Sequence, residues 1–81
     1  MSKESRPPMV YVEWVDSAQM KGWQDLEDAK ALTVLDMETL GFLIEETDDA
    51  VTVVATWAEG NYDCPICIPK CAITNMWYVT L

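Results

Sequence analysis

The sequence predicts a mainly β protein: a small, five-stranded antiparallel sheet that curls strongly, with one short helix in an early connection. Its 81 residues are enough for a single domain. Five short stretches alternate apolar with other residues, or are rich in β-branched and aromatic residues, which is typical of strands. Because closing a curled sheet removes its exposed edges, we expect this short chain to form a barrel.

The chain begins with a polar stretch and continues into a strand. "MSKESRPP" ends in two prolines, so residues 1–8 are expected to form a flexible arm and residues 9–81 the single β-barrel domain. In "MVYVEWV", Val10, Val12 and Trp14 alternate with Tyr and Glu, which predicts a half-buried strand.

The period changes in "WQDLEDAKAL". Trp23, Leu26 and Ala29 share one face at helical spacing, and the acidic residues precede Lys30, as the helix dipole favours. This stretch predicts a helix over roughly residues 24–31.

The clearest strands follow this helix. "TLGFLIEE" and "VTVVATWA" flank the turn "TDDA" and predict a hairpin, and Gly41 in the first of them predicts a bulge or bend. "EGNYD" is read as a loop, "CPICIP" as a short strand, "KCAI" as a tight connection and "TNMWYVTL" as the last strand.

Cys64, Cys67 and Cys71 lie close together in "DCPICIPKC". A structural zinc site needs four ligands, and the chain has no histidine. A redox pair is expected at a helix N-terminus. The alternation around Ile66 and Ile68 instead predicts a strand, in which Cys64 and Cys67 lie about 10 Å apart, too far for a disulfide. We therefore interpret this stretch as a core strand in which Cys64 shares a face with the two isoleucines.

Charge limits the classes of partner. Five basic residues against fourteen acidic ones give a formal charge of −9, which repels phosphate backbones and suits a basic protein surface. Direct nucleic-acid binding is therefore not expected. No apolar run approaches the ~18 residues of a membrane span, and the first residues lack the apolar core of a signal peptide. With an odd number of cysteines, a cytoplasmic location is expected.

Catalysis has little support in the sequence. There is no histidine, no "GxSxG" motif and no glycine-rich phosphate loop. "EETDDA" lacks the ligand spacing and glycine of a calcium loop, so it is read as a solvated hairpin turn. The spacing of Asp36 and Glu38 does not show that their carboxylates converge on a substrate. We expect a protein without enzymatic activity, cofactor or metal ion.

Aromatic and acidic residues are the candidate partner-binding residues. So short a chain rarely encloses four Trp, three Tyr and one Phe, and exposed aromatic residues often anchor partners. The aromatic candidates are Tyr11, Tyr62 and Trp77. The acidic candidates, expected on the helix and at the hairpin tip, are Asp25, Glu27, Asp28, Glu45, Glu46, Asp48 and Asp49.

The segment "ICIPKCAITNMWYV" resembles the end of a Src-homology-3-type barrel, where a strand closing in Ile-Pro, one tight helical turn and a short last strand follow one another. Ile68, Pro69 and Ile73 carry the resemblance, which implies a five-stranded Src-homology-3-like barrel. The Tyr-rich opening motif of the peptide-binding members is missing, so binding of proline-rich ligands is not implied.

A second resemblance covers most of residues 10–73. "VEWVDS", "GWQDLEDA", "TLGFLIEETDDAVTVVATW" and "ICIPKCAI" are similar to a group of small proteins encoded by tailed bacteriophages. The matching residues are Val12, Trp14, Asp16, Trp23, Gly41, Phe42 and Pro69. The resemblance implies a viral accessory protein that works in the cytoplasm of an infected host.

These observations favour a non-enzymatic phage accessory protein that binds a host or phage protein with a basic surface. Its concrete form is an acidic inhibitor of a host defence or regulatory complex. The alternative is a sponge or carrier that holds a small ligand in an aromatic pocket between subunits, and a third option is a structural part of the virion. Exposed aromatic residues are compatible with a homo-oligomer.

The cysteine pattern predicts that all three thiols are free and that the protein binds no zinc, because a strand separates the thiols. Elemental analysis should find no zinc, and a non-reducing mass map should find no link between Cys64 and Cys67. Stoichiometric zinc would contradict this interpretation.

Overall fold

The computed structural model describes residues 6–80. Its elements, in chain order, are strand β1 (Met9–Asp16), helix α1 (Leu26–Lys30), β2 (Leu35–Glu46), β3 (Ala50–Val54), β4 (Thr56–Ala58), β5 (Asn61–Asp63), β6 (Ile66–Pro69), a 3₁₀ turn (Lys70–Ala72) and β7 (Ile73–Val79). The fold is therefore mainly β with little helix, as the sequence predicts. The predicted arm falls mostly outside the described residues.

Five strands form one antiparallel sheet in the order β6-β3-β2-β1-β7, and β4 pairs with β5 in a separate two-stranded sheet. The predicted five-stranded antiparallel sheet is confirmed. Within residues 6–80 the edge strands β6 and β7 do not pair with each other, so the sheet is open. Closure of the predicted barrel is therefore not confirmed.

Strand β2 belongs to both halves of this sheet. Its residues 35–42 pair with β1, and its residues 42–46 pair with β3, so the two pairings overlap only at Phe42. The longest strand of the fold thus connects one group of strands, β7-β1-β2, to another, β2-β3-β6.

Gly41 lies at this junction and leaves space for β3. A Cβ atom at residue 41 would lie 2.5 Å from the carbonyl oxygen of Val54 and 2.7 Å from Cγ1 of Val53. The φ angle of Gly41 is not positive, so the position requires space rather than an unusual backbone conformation. The register of β2 and β3 shifts just beyond it, between Leu43 and Glu45, which agrees with the bend predicted for this strand.

The main core cluster occupies one face of the sheet. Val10, Val12 and Trp14 from β1 are buried. The other buried members of the cluster are Leu43, Val51, Val53 and Ile68. Ile66 of β6 and Met76 of β7, from the two edge strands, pack against it. Because no residue of α1 is buried, the strands themselves must cover this face, which requires the sheet to curl.

The helix forms within the predicted range, but its apolar residues do not pack on the sheet. Trp23 precedes α1 and is 101% exposed, and Leu26 is 66% exposed. Asp25 caps the helix by accepting a hydrogen bond from the backbone N–H of Asp28 at 2.8 Å. The helical period therefore predicts the helix correctly, but the apolar residues of this segment do not pack against the core.

Two strand predictions need correction. The predicted strand over residues 51–58 is interrupted at Ala55, which separates β3 from β4. The predicted loop "EGNYD" contains β5, because Gly60 adopts a φ of 79° and lets Tyr62 pair with Trp57. A glycine in the left-handed region is a common device of tight hairpins.

The interpretation of Cys64 as a core residue is wrong. Cys64 precedes β6, has a φ of 53° and is exposed, as are Cys67 and Cys71. The three thiols are free. Ile68 is fully buried, so the core role assigned to this stretch belongs to its isoleucine side chains.

We expect Gly41→Ala to destabilise the protein by about 1–3 kcal/mol, because the added methyl group overlaps the backbone of Val54. Urea unfolding followed by circular dichroism would measure the loss. Glu45→Ala, at an exposed position of the same strand, is the matched control and should change stability by less than about 0.5 kcal/mol. Equal stabilities of the two variants would refute the close approach.

Candidate functional site

The face of the sheet opposite the core carries a row of apolar side chains, two of them exposed and one half-buried. Tyr11 of β1 lies opposite Leu40 of β2 and opposite Trp77 of β7. Because directly opposite residues point to the same face, the three side chains form one row. Leu40 is 57% exposed and Trp77 50% exposed. The rings of Tyr11 and Trp77 stack, with centroids 5.4 Å apart and an interplanar angle of 29°.

A polar row lies beside the apolar one. Glu13, two residues beyond Tyr11, lies opposite Glu38 and Asn75. The side-chain amide of Asn75 donates a hydrogen bond to the Glu13 carboxylate, with Nδ2 and Oε1 3.2 Å apart. The Tyr11 hydroxyl donates to the carboxylate of Glu38. Neither carboxylate forms an ion pair within residues 6–80, so two like charges face each other across β1 and β2 without a cation.

The two rows together are called the outer-face patch. Its members are Tyr11, Glu13, Glu38, Leu40, Asn75 and Trp77. The alternation of β1 places this patch: Val10 and Val12 point into the core, so the residues next to them point outward.

The carboxylate of Glu38 changes the acidity of the neighbouring phenol. Its hydrogen bond with the hydroxyl, together with partial desolvation and the charges of Glu38 and Glu13, raises the pKa of Tyr11 to about 12. Tyr11 therefore remains a protonated donor to Glu38 up to a higher pH than an ordinary phenol, which is half ionised near pH 10.

An open cleft of about 430 Å³ borders the polar row. It is lined by Glu13, Trp14, Asp36, Met37, Glu38, Thr74 and Asn75. Within residues 6–80, no three carboxylates or thiols are grouped closely enough to hold a metal ion. The carboxylates of Glu13, Asp36 and Glu38 along this cleft can accept hydrogen bonds from an extended cation such as an arginine side chain.

The structure brings together two of the three predicted aromatic residues. Tyr11 and Trp77 are in contact. Tyr62 is exposed but lies in β5, opposite Trp57, in the separate two-stranded sheet. It does not belong to the outer-face patch.

The predicted acidic residues are all exposed, at two separate places. The acids of residues 25–28 lie in the connection that precedes β2, and those of residues 45–49 lie where β2 ends. An extended strand of 12 residues spans roughly 40 Å, so the two groups do not form one surface. Two of these acids also have partners within the chain: Asp25 caps α1, and Glu46 forms an ion pair with Lys70 at 2.8 Å.

Sequence reasoning did not assign Glu13, Glu38, Leu40 and Asn75 to a site. The alternation of β1 contains a signal for Glu13, because it shares the outward face with Tyr11. The proximity of these four residues depends on the register between strands. The register pairs residues that are far apart in the sequence, and it cannot be read from one strand alone.

The cysteine next to β5 does not add a reactive group to the site. The charge of Asp63, and then its hydrogen bond, raise the pKa of the Cys64 thiol. Because the thiolate is the nucleophilic form, this environment disfavours reactivity at neutral pH.

Neither a family model nor a curated protein nor a solved structure matches this chain. Across residues 6–80, no helix is long and apolar enough to cross a membrane.

Glu38→Gln should lower the pKa of Tyr11 from about 12 towards its ordinary value of 10, because the neutral amide no longer opposes the phenolate charge. Phenolate absorbance during an alkaline titration measures this shift, with circular dichroism to follow folding. Because the folded-state pKa is the higher one, the bond's contribution to stability is present below about pH 10 and is lost as the pH rises through about 12.

Tyr11→Phe identifies the phenol concerned, because the step near pH 12 should disappear from its titration. If a titration step near pH 12 survives in this variant, it belongs to another tyrosine, and Glu38 does not raise the pKa of Tyr11.

Proposed function

We propose that this protein is a non-enzymatic binding protein whose outer-face patch binds a basic segment of a partner protein. The observation that carries the proposal is the pair of opposed carboxylates, Glu13 and Glu38, each with a neutral hydrogen-bond donor and neither with an ion pair in the described chain. Like charges directly opposite each other destabilise a sheet. A cation bound between them removes this cost and is therefore favoured.

The aromatic row beside these carboxylates suits the rest of a cationic side chain. A guanidinium group stacks on aromatic faces and forms paired hydrogen bonds with carboxylates. Trp77 and Tyr11 offer the exposed ring surface, and Leu40 extends it for the apolar stem of an arginine or lysine. The formal charge of −9 adds attraction at long range, which raises the association rate of a basic partner.

The biological setting that we propose is that of a phage accessory protein acting on a host or phage protein in the host cytoplasm. The resemblance of residues 10–73 to small phage proteins and the acidic composition support it. The specific action that we propose is inhibition of a host defence or regulatory complex. The carrier alternative gains no comparable support, since the apolar groove of about 400 Å³ in the β1–β2 connection has no aromatic lining.

For the fold, we propose a curled, open barrel of the Src-homology-3-like type. Three features support this proposal. The last strand, β7, lies beside β1, and the long strand β2 is shared by two groups of strands. Pro69 ends β6 and is followed by the 3₁₀ turn Lys70–Ala72 and then β7, in the order that the resemblance implies.

The double variant Glu13→Gln, Glu38→Gln tests the proposed site, because it removes both negative charges and keeps side chains of the same size. It should weaken binding of an arginine-rich peptide, used as the defined probe, and of any partner recovered from lysate of the infected host. Loss of the like-charge pair and weakening of the hydrogen bonds from Tyr11 and Asn75 act on stability in opposite directions, so the free energy of unfolding should change little. Isothermal titration calorimetry measures the affinity, and urea unfolding shows that the variant is folded.

The matched control is Asp48→Asn, Asp49→Asn, which removes the same charge at the exposed turn before β3. It should leave peptide affinity nearly unchanged at physiological salt, where the Debye length is about 8 Å. If this control weakens binding as much as the patch variant does, overall charge rather than the patch is responsible.

Trp77→Ala separates the aromatic contribution from the electrostatic one. It should lower affinity while leaving the salt dependence of binding unchanged, because the carboxylates remain. The double Gln variant should reduce the salt dependence itself. Binding that is insensitive to Trp77→Ala would exclude the aromatic row from the interface.

A further inference from the structure

The connection between β1 and β2 exposes an unusual amount of apolar surface. Residues 17–34 form a long excursion from the sheet that contains only α1, and no residue of this helix is buried. Its exposed apolar side chains, with the first residue of β2, are Met20, Trp23, Leu26, Leu32, Val34 and Leu35. Long connections of this kind are usually functional, and contiguous exposed apolar patches mark interfaces.

The helix in this connection gains no burial within the described part of the chain. With five residues, α1 is far below the ~12–15 residues at which an isolated helix becomes even marginally stable. The Asp25 cap contributes about 1 kcal/mol, and no side chain of the helix adds burial against the sheet. A docked surface would supply the missing burial.

The connection contains both a groove and a projecting side chain. Ala18, Met20, Asp28, Ala31, Leu32, Thr33 and Leu35 line a largely apolar groove of about 400 Å³. Trp23 projects from the same segment and is fully exposed. A segment that carries a projecting side chain and a groove offers both halves of a reciprocal contact, in which each copy inserts its side chain into the groove of the other.

Charge favours a second copy over a basic partner at this place. Residues 17–35 contain two lysines, Lys21 and Lys30, and three acids, a net charge of −1, which leaves −8 of the total −9 for the rest of the chain. A second copy therefore meets the least repulsion here, and the lysines of one copy can pair with Glu27 and Asp28 of the other. A basic partner finds far more negative charge elsewhere on the molecule.

We propose that residues 17–35 form a homodimer interface, in which Trp23 of each copy inserts into the groove of the other. A buried tryptophan contributes up to about 250 Å² of the ~800 Å² that each partner buries in a standard interface. The other exposed side chains of the segment supply apolar area around it. This interface is independent of the outer-face patch.

Sedimentation equilibrium over a range of protein concentrations tests the proposal. The wild-type chain should dimerise, and Trp23→Ala should raise the dimer dissociation constant about tenfold or more. Because Trp23 is fully exposed in the single chain, the substitution should leave the circular dichroism spectrum of the monomer unchanged. Trp77→Ala is the matched control: it removes another exposed indole, outside the connection, and should change the constant by less than about twofold.

A charge exchange tests the pairing across the interface. The variants Lys21→Glu, Lys30→Glu and Glu27→Lys, Asp28→Lys should each self-associate more weakly than wild type, whereas an equimolar mixture should form a heterodimer. A wild-type chain that stays monomeric at about 100 µM, where an interface of standard size would be populated, overturns the proposal. A dimer weakened by Trp77→Ala but not by Trp23→Ala, or charge-exchanged chains that fail to pair, also overturns it.

Discussion

The close approach of the Val54 carbonyl oxygen to Gly41 is the constraint on which the rest of the fold depends. No side chain fits between them, since a Cβ atom would lie 2.5 Å from this oxygen. The contact falls where β2 ends its pairing with β1 and begins its pairing with β3. It lets the end of β3 close onto β2, so that a sheet without a covering helix can enclose Val10, Val12 and Ile68 by its own curvature.

The curvature of the sheet also determines which of its faces is available for binding. One face of the sheet is used for the core, so every residue of opposite parity in β1 faces solvent or a partner. The outer-face patch follows from the same alternation that fills the core: Tyr11 and Glu13 point outward and are only half-buried, because Val10, Val12 and Trp14 point into the core. The pairing of Glu13 with Glu38 brings two like charges opposite each other, which is unfavourable in the free sheet and which a bound cation would offset.

Features that depend on the alternation of apolar and polar residues within one strand could be predicted from the sequence. Features that depend on how separate strands pair could not. The first strand, the hairpin and the turn after Pro69 follow from local patterns. The contact of Glu13 with Glu38 depends on a register between strands 25 residues apart. The alternation around Ile66 and Ile68 does not extend back through Pro65 to Cys64, whose positive φ places it outside the strand. Helical spacing around Trp23 describes a face but does not say which surface covers it.

The two proposed surfaces have different physical requirements, and the difference makes them compatible. The outer-face patch has uncompensated negative charge, so a second copy of the chain would bring repulsion to it, whereas the β1–β2 connection is nearly neutral and apolar. The outer-face patch and the connection share no residue, and in β2 the nearest members, Leu35 and Glu38, are three residues apart, about 10 Å in an extended strand. A dimer joined through the connections then presents two patches. For a partner with repeated basic segments, the second contact is intramolecular, and avidity exceeds what one patch provides.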